Sequence, residues 1–224
     1  SRETKVYLTA EYEGISPNGD NVLEAQIFNV STTVSEGIST WKFDVRKEDG
    51  TSVYSLSEKN MKNLPAQITW NGADSKGNAC EGTYLATLEL NYKKGNRVSA
   101  VSSGFVCTAT APILDVKTAP EYFSPDNDGV DDDLFIKLGA RSKAKLKNWS
   151  FIIKDPKGKD FWRLSGKTNV TEKVIWDGLS NVQKSTNGKA ERVQSAMDYP
   201  YEFRVTDALG MTSVKTGVIP VDVL

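Results

Sequence analysis

Apolar and polar residues alternate with a period of two over most of the chain, and the alternation is written twice. Trp41, Phe43 and Val45 interleave with Lys42, Asp44 and Arg46, and Trp149, Phe151 and Ile153 occupy the inward places of a second such run. Further on, Tyr84, Ala86, Leu88 and Leu90 match Tyr199, Tyr201, Phe203 and Val205. A period of two places every second side chain on one face, so each run predicts a strand with one side in a core. Glu48-Asp49-Gly50, Pro156-Lys157-Gly158, Lys93 to Asn96 and Ala208-Leu209-Gly210 supply hairpin turns between the runs. Trp70-Asn71-Gly72 and Trp176-Asp177-Gly178 each close a short β-type run with an indole set directly before a tight turn. Gly accepts positive φ there and Asn or Asp can bond its own backbone, so each indole is expected to plug a core at a strand end.

The two halves share a fixed spacing. Ser16-Pro17 recurs as Ser124-Pro125, 108 positions on, and the same offset relates Trp41 to Trp149, Phe43 to Phe151, Gly50 to Gly158 and Leu56 to Leu164. It slips to 106 at Trp70/Trp176 and to 115 at Tyr84/Tyr199, as insertions in surface loops would make it do. Val6 and Leu8 correspond to Leu114 and Val116, so a second domain begins almost where the first ends. The pattern predicts an all-β chain of two tandem immunoglobulin-like or fibronectin III-like sandwiches, residues 1–110 and 111–224, each with about seven short strands. Thr108-Ala109-Thr110-Ala111-Pro112 makes a short proline-containing connector, from which an elongated two-domain rod with limited bending is expected.

Composition narrows the chemistry. The 224 residues contain no histidine, which removes imidazole-based nucleophile pairs and most zinc sites. Net charge is −1, leaving no electrostatic case for nucleic acid or an anionic membrane. Arg141, Lys143, Lys145 and Lys147 alternate and read as edge protection of a sheet. No apolar run approaches the roughly 18 residues of a spanning helix, so no direct membrane insertion is expected, and no signal peptide is evident. The start at Ser1-Arg2-Glu3 fits a piece of something larger.

The tandem pattern resembles the Ig-like domain first described in the flagellar hook-capping protein FlgD and widespread in bacterial envelope proteins. Trp70-Asn71-Gly72-Ala73-Asp74 with Gly77, Gly82 and Tyr84 carries the resemblance, and Trp176-Asp177-Gly178 and Tyr199 carry it again; Gly188 lies in a lengthened loop and Met197 replaces a glycine. Phe123-Ser124-Pro125-Asp126-Asn127-Asp128-Gly129-Val130-Asp131-Asp132 resembles the opening motif of such surface domains, and Ile15 to Asp20 resembles a shortened version of it. The resemblance implies an Ig-like scaffold or spacer; similar tandem modules precede OmpA-like peptidoglycan-binding domains in spirochete envelope proteins.

Four features are candidate sites. Asp126, Asp128, Asp131 and Asp132 around Gly129 could converge on calcium, which takes about six to eight oxygens, or form an Asx-rich turn bonded to backbone amides. Cys80 and Cys107 read either as a disulfide, the favoured expectation and consistent with an oxidising compartment, or as two buried free thiols; pairing across the Lys93–Asn96 turn sets Cys107 opposite Gly82, two residues from Cys80. The segment from Leu179 to Ala196 is longer than its counterpart and carries Lys184, Lys189 and Arg192. It reads either as a recognition loop or as a tolerated insertion, with a short helical turn over Ala190 to Met197. Trp162, whose repeat partner is Tyr54, is a carbohydrate-stacking candidate.

These readings favour a non-catalytic structural spacer or assembly scaffold, a fragment of a larger bacterial cell-envelope protein in the periplasm or at the cell surface. Its expected partners are other envelope proteins or flanking domains of the same chain, with peptidoglycan reached through a domain absent from this sequence. The alternative is an adhesin or a carbohydrate- or protein-binding module using the acidic loop or the long loop of the second domain. An enzyme built on Asp126 and Asp128 is disfavoured because that pair lies on a turn.

Overall fold

The computed structural model describes residues 3–222 and divides into two compact units, Ser1–Thr110 and Ala111–Leu224. Among the described residues every regular element is a strand. The first unit contains β1 (Val6–Ala10), β2 (Gly14–Ile15), β3 (Gln26–Thr32), β4 (Ile38–Lys47), β5 (Ser52–Ser57), β6 (Gln67–Trp70), β7 (Gly82–Tyr92), β8 (Arg97–Val101) and β9 (Phe105–Cys107). The second contains β10 (Ile113–Ala119), β11 (Leu134–Arg141), β12 (Leu146–Lys154), β13 (Asp160–Gly166), β14 (Lys173–Trp176), β15 (Leu179–Lys184), β16 (Ala190–Arg192), β17 (Met197–Asp207) and β18 (Thr212–Val221).

Each unit is a sandwich of a three-stranded sheet on a larger one. In the first, β1-β3-β6 faces β2-β9-β7-β4-β5, with β8 also paired to β7; in the second, β10-β11-β14 faces β13-β12-β17-β18. This is the two-sheet arrangement of an immunoglobulin-like, fibronectin III-like domain, built twice, three strands on six in the first copy and three on four in the second. The chain of each copy crosses between sheets where β2 runs parallel to β9 (Ile15 beside Cys107) and where Phe123 bridges Val221 in parallel.

The inward places of the alternation are filled as the pattern predicts. Trp41, Phe43 and Val45 are buried beneath Phe28, Leu88 and Phe105, and Trp149, Phe151 and Ile153 are buried with Phe203 and Val205. Each such aromatic or aliphatic side chain contributes on the order of 1.5–3 kcal/mol by leaving water, and the rings meet edge-on, as Phe28 does with Phe43 at 5.1 Å. Asp44 departs from the pattern. It occupies an outward place yet is buried, because Ser52, Ser55 and Arg46 close over its carboxylate and donate to it.

One turn recurs six times. In each, a residue's carbonyl accepts the N–H of a glycine three positions on, at Lys47/Gly50, Asp74/Gly77, Tyr92/Gly95, Asp155/Gly158, Ser185/Gly188 and Asp207/Gly210. The glycine has positive φ every time, so this is the hairpin in which a type I turn ends in a glycine bulge. Where the first residue is Asp, its carboxylate also accepts one amide inside the turn and one just beyond it: Lys76 and Asn78 for Asp74, Lys157 and Lys159 for Asp155.

Candidate functional site

The residues that define the repeat meet at one corner of each sandwich. In the first, Gly72 of the Trp-Asn-Gly turn lies so close to the Ser-Pro loop that an added Cβ would stand 2.8 Å from Pro17 Cγ and 3.0 Å from Cys107 Sγ. In the second, a Cβ at Gly178 would stand 3.0 Å from Pro125 Cγ and 3.1 Å from Val193 Cγ2. The indoles beside these glycines are buried, and each donates its N–H to a carbonyl three residues on, Trp70 to Ala73 (2.8 Å) and Trp176 to Leu179 (2.9 Å). The tyrosines that follow complete the plug, Tyr84 packing on Trp70 and Tyr199 on Phe161. The signature residues are therefore a socket in which a proline-bearing loop is seated on a glycine.

The acidic loop sits on that socket. Asp132 accepts the amides of Asn127 (2.7 Å) and Gly129 (2.8 Å), Asp126 accepts that of Asp128, and Asp128 that of Val130. Desolvation works to raise the Asp132 pKa, but the Gly129 and Asn127 amides together hold it below the usual carboxylate value. Carboxylate oxygens of Asp126, Asp128 and Asp132 lie within 4.8 Å of one another, whereas Asp131 is outside this group. Asp131 instead adopts φ of 54° and its carbonyl accepts the Ser124 N–H. With one oxygen from each, these three carboxylates supply half or fewer of the roughly six to eight oxygens calcium takes.

The loop near Ser16 is a full copy rather than a shortened one. Positive φ falls at Gly19, Asn21 and Leu23 as at Asn127, Gly129 and Asp131, and the Ser16 N–H reaches the Leu23 carbonyl as Ser124 reaches Asp131. Glu24 takes the role of Asp132 by accepting the Gly19 and Asp20 amides, and Asn18 takes that of Asp126. Sequence reading missed Glu24 because its longer side chain shares only one of these amides with Asp132, that of Gly19 (Asn127 in the second copy), and takes the Asp20 amide where Asp132 takes that of Gly129. The same backbone thus forms without three carboxylates.

The expected disulfide is corrected: Cys80 and Cys107 are free, buried thiols. The strand pairing is as predicted, with Cys107 opposite Gly82. The side chains account for the difference, because Cys107 Sγ packs under Gly72 while the Cys80 thiol is hydrogen-bonded with Tyr84. Desolvation, with the neighbouring Cys80, pushes the Cys107 thiol up to about 12, and desolvation also raises Cys80; both are held as unreactive thiols.

The long segment of the second domain is a hairpin, β15–β16, and Ala190 to Arg192 is strand where a helical turn was expected. It extends the turn that Ala73 and Ala79 bridge in the first domain. Its first arm lies along β13, where Asn181 accepts the Arg163 N–H (2.8 Å) and donates to the Arg163 carbonyl (2.7 Å), as a neighbouring strand would. Gln183 adds bonds to Asp155 and to the Asp160 carbonyl. The hairpin thereby covers an exposed sheet edge. Lys184 and Lys189 are exposed beside its turn, while Arg192 at the far end donates to the Pro125 carbonyl (3.2 Å) and ties the hairpin to the acidic loop. Trp162 is apart from these, half-buried with its ring 6.1 Å from that of Trp176. Asp207 was not flagged by sequence. It is fully buried at the β17–β18 turn, accepting the Leu209 and Met211 amides through Oδ1, and Oδ2 has no partner among the described residues. Desolvation raises its pKa.

No family profile matches the chain, and no curated protein does. Among solved structures it is similar to the fibronectin(III)-like modules of Clostridium thermocellum CbhA, with 13% identity, 96% of this chain and 93% of that chain covered, and a TM-score of 0.34. It is also similar to a 1.5-MDa bacterial ice-binding adhesin studied for host cell surface retention (13% identity, 99% of this chain, 65% of that chain, TM-score 0.46). A third similarity is to murine CEACAM1b (9% identity, 98% and 100% covered, TM-score 0.43).

Proposed function

We propose that this chain is a non-catalytic structural module, a spacer or assembly scaffold of a bacterial cell-envelope protein, made of two FlgD-type Ig-like domains and working in the periplasm or at the cell surface. The observation that carries the reading is the shared corner. The residues repeated between the copies, Ser-Pro, Trp-Asx-Gly and Tyr, are turned inward to seat one loop on one glycine. Repetition preserves a frame here, not a reactive constellation. Asp44 and Asp207, the buried carboxylates, are likewise engaged with the hydroxyls, guanidinium and amides of their own domains. The envelope assignment rests on the opening motif from Phe123 to Asp132 and the Trp-Asx-Gly turns, since unbridged cysteines lend it no redox support.

Its partners on this reading are flanking domains of the same chain and neighbouring envelope proteins. The test is replacement of residues 111–224 within the parent protein by an unrelated sandwich of similar size. A spacer tolerates the exchange: the parent protein still fractionates with the envelope and keeps its function. Loss of function with localisation intact, repaired by restoring only Lys184, Lys189 and Arg192 on their hairpin, would assign the second domain to recognition instead.

A further inference from the structure

Trp41 and Trp149 occupy equivalent places but end differently. The Trp149 indole N–H donates to the Asn169 carbonyl at 2.8 Å, so a stretch of backbone caps the end of the second core. That path runs over Gly166, where an added Cβ would lie 2.5 Å from Trp149 Nε1. In the first domain the corresponding residue is Glu58, which carries a Cβ where Gly166 has none, and whose carboxylate takes the Trp41 backbone N–H (3.1 Å). The Trp41 indole N–H is left buried without a hydrogen-bond partner among the described residues, although Trp41 is only 2% exposed. An unpaired buried donor of this kind carries a desolvation penalty that any acceptor reaching it removes.

Over Trp41 lies a cleft of about 480 Å³, lined by Thr32, Ser35, Lys62, Asn63 and Leu64 among others, a volume within the roughly 300–1,000 Å³ of ligand pockets. The Thr32 hydroxyl is a second buried group without a partner. The cleft also ends a sheet early. Pairing of β3 with β6 runs to Asn29 and Gln67, and the Val30 N–H makes one more bond to the Ala66 carbonyl before Pro65. By strand alternation the Thr32 backbone faces the same side as that of Val30, with β6 no longer beside it. Lys62 is the one charged residue lining the cleft among the described residues.

We infer that this cleft in the first domain is a binding site for an extended peptide segment, whose backbone carbonyl accepts the Trp41 indole N–H as the Asn169 carbonyl accepts that of Trp149. The second domain thus displays the bound state in its own chain, and the first domain leaves the place of the capping segment to a partner. Thr32 adds a hydroxyl and sheet-edge backbone, the means by which strands are added to exposed edges. The Trp41 N–H is buried in the free protein, so admitting the carbonyl requires the residues that line the cleft to yield. The site concerns the first domain alone and is independent of the envelope role proposed above.

The test uses the full 224-residue chain. A random heptapeptide phage library is panned on it, and enriched peptides, together with the synthetic segment Gly166–Glu172, are titrated into the ¹⁵N-labelled protein. The Trp41 indole resonance should move while that of Trp149, already bonded, stays. Trp41→Phe should weaken binding about tenfold by removing one buried hydrogen bond. Ser35→Trp, a change at an exposed rim residue, should abolish binding with the native spectrum elsewhere retained, which keeps the test decisive if Trp41→Phe unfolds the domain. Failure to enrich any peptide, peptides bound equally by Ser35→Trp, or an unmoved Trp41 resonance at saturation would overturn the inference. An oligosaccharide panel that shifts Trp41 where no peptide does would overturn the choice of occupant.

Discussion

Gly72→Ala puts the socket at the Trp-Asn-Gly corner to a quantitative test. Two costs add at this position. The residue has φ of 80°, where a Cβ costs about 1–2 kcal/mol, and that Cβ would press on Pro17 Cγ at 2.8 Å and Cys107 Sγ at 3.0 Å, an overpacking of about 1–3 kcal/mol. Gly77→Ala is the control, since φ is 84° but nothing lies within 4 Å of its Cβ. The first change should therefore destabilise the first domain by about 2–5 kcal/mol and the second by about 1–2 kcal/mol. Urea unfolding followed through resolved amide resonances of the first domain reads both, with those of the second as an internal reference. Adding Cys107→Ala to each background isolates the contact: its coupling to Gly72→Ala should be about 1 kcal/mol and its coupling to Gly77→Ala near zero. Equal losses for the two glycines, or no coupling to Cys107, would refute the idea that the repeated glycine exists to admit the Ser-Pro loop.

Four further outcomes are expected. Thiol titration should find Cys80 and Cys107 unreactive in the native protein and both reactive in denaturant without reductant, because they are buried, unbridged and raised in pKa by desolvation; fewer than two denatured thiols would restore the bridge. Asp132→Ala should lower the melting temperature of the second domain most at neutral pH and by progressively less as pH falls below the ordinary 3.8, since a carboxylate with a depressed folded pKa stabilises above its unfolded value and loses that stability as pH falls through the folded one. Calcium added after chelation should leave that melting temperature unchanged, because the Ser16–Glu24 loop takes the same backbone form with Asn18 in place of a carboxylate; a rise of several degrees would make the acidic loop an ion site. Asp207→Asn should stabilise the second domain at pH 7, because a carboxylate whose folded pKa is raised is charged and buried there. The margin should shrink as pH falls through the raised value and vanish below the ordinary 3.8; a margin constant with pH would show that burial of Asp207 carries no charge penalty.

What could be read from the sequence is what a two-residue period records. Alternation reports which face a side chain takes, so Trp41, Phe43, Val45 and their partners at 108 positions on could be placed inside, and glycine-bearing stretches such as Glu48-Asp49-Gly50 and Pro156-Lys157-Gly158 marked the turns. The hairpin arithmetic that set Cys107 opposite Gly82 belongs to the same class of information. A disulfide depends instead on where Sγ points, and Cys107 turns to the gap above Gly72. The buried state of Asp44 depends on Ser52 and Ser55 closing over an outward face, and that of Asp207 on the turn wrapping its own Asp, neither of which any pattern along one strand can express. The β15–β16 hairpin was hidden for a related reason: its first arm is held to β13 by Asn181 and Gln183, polar side chains doing the work of a ladder without an apolar alternation to announce it.

The divergence of the two copies follows from single positions in an otherwise shared frame. Gly166 lets one indole reach across to a backbone carbonyl that covers that end of the second core, while at the equivalent place Glu58 accepts the Trp41 backbone N–H and the Trp41 indole, beside a cleft, finds no acceptor among the described residues. Glu58→Gly therefore has a definite expected effect: it frees the path along which Trp41 could reach the carbonyl of its own Lys62–Leu64 segment, as Trp149 reaches Asn169. If the segment follows, the Trp41 indole proton should become protected from solvent exchange to the degree seen for Trp149, and peptides selected on the native cleft should no longer bind. A Trp41 proton that exchanges as before, with peptide affinity unchanged, would mean that the glycine does not govern closure and that the shape of the 58–66 loop alone keeps the cleft open.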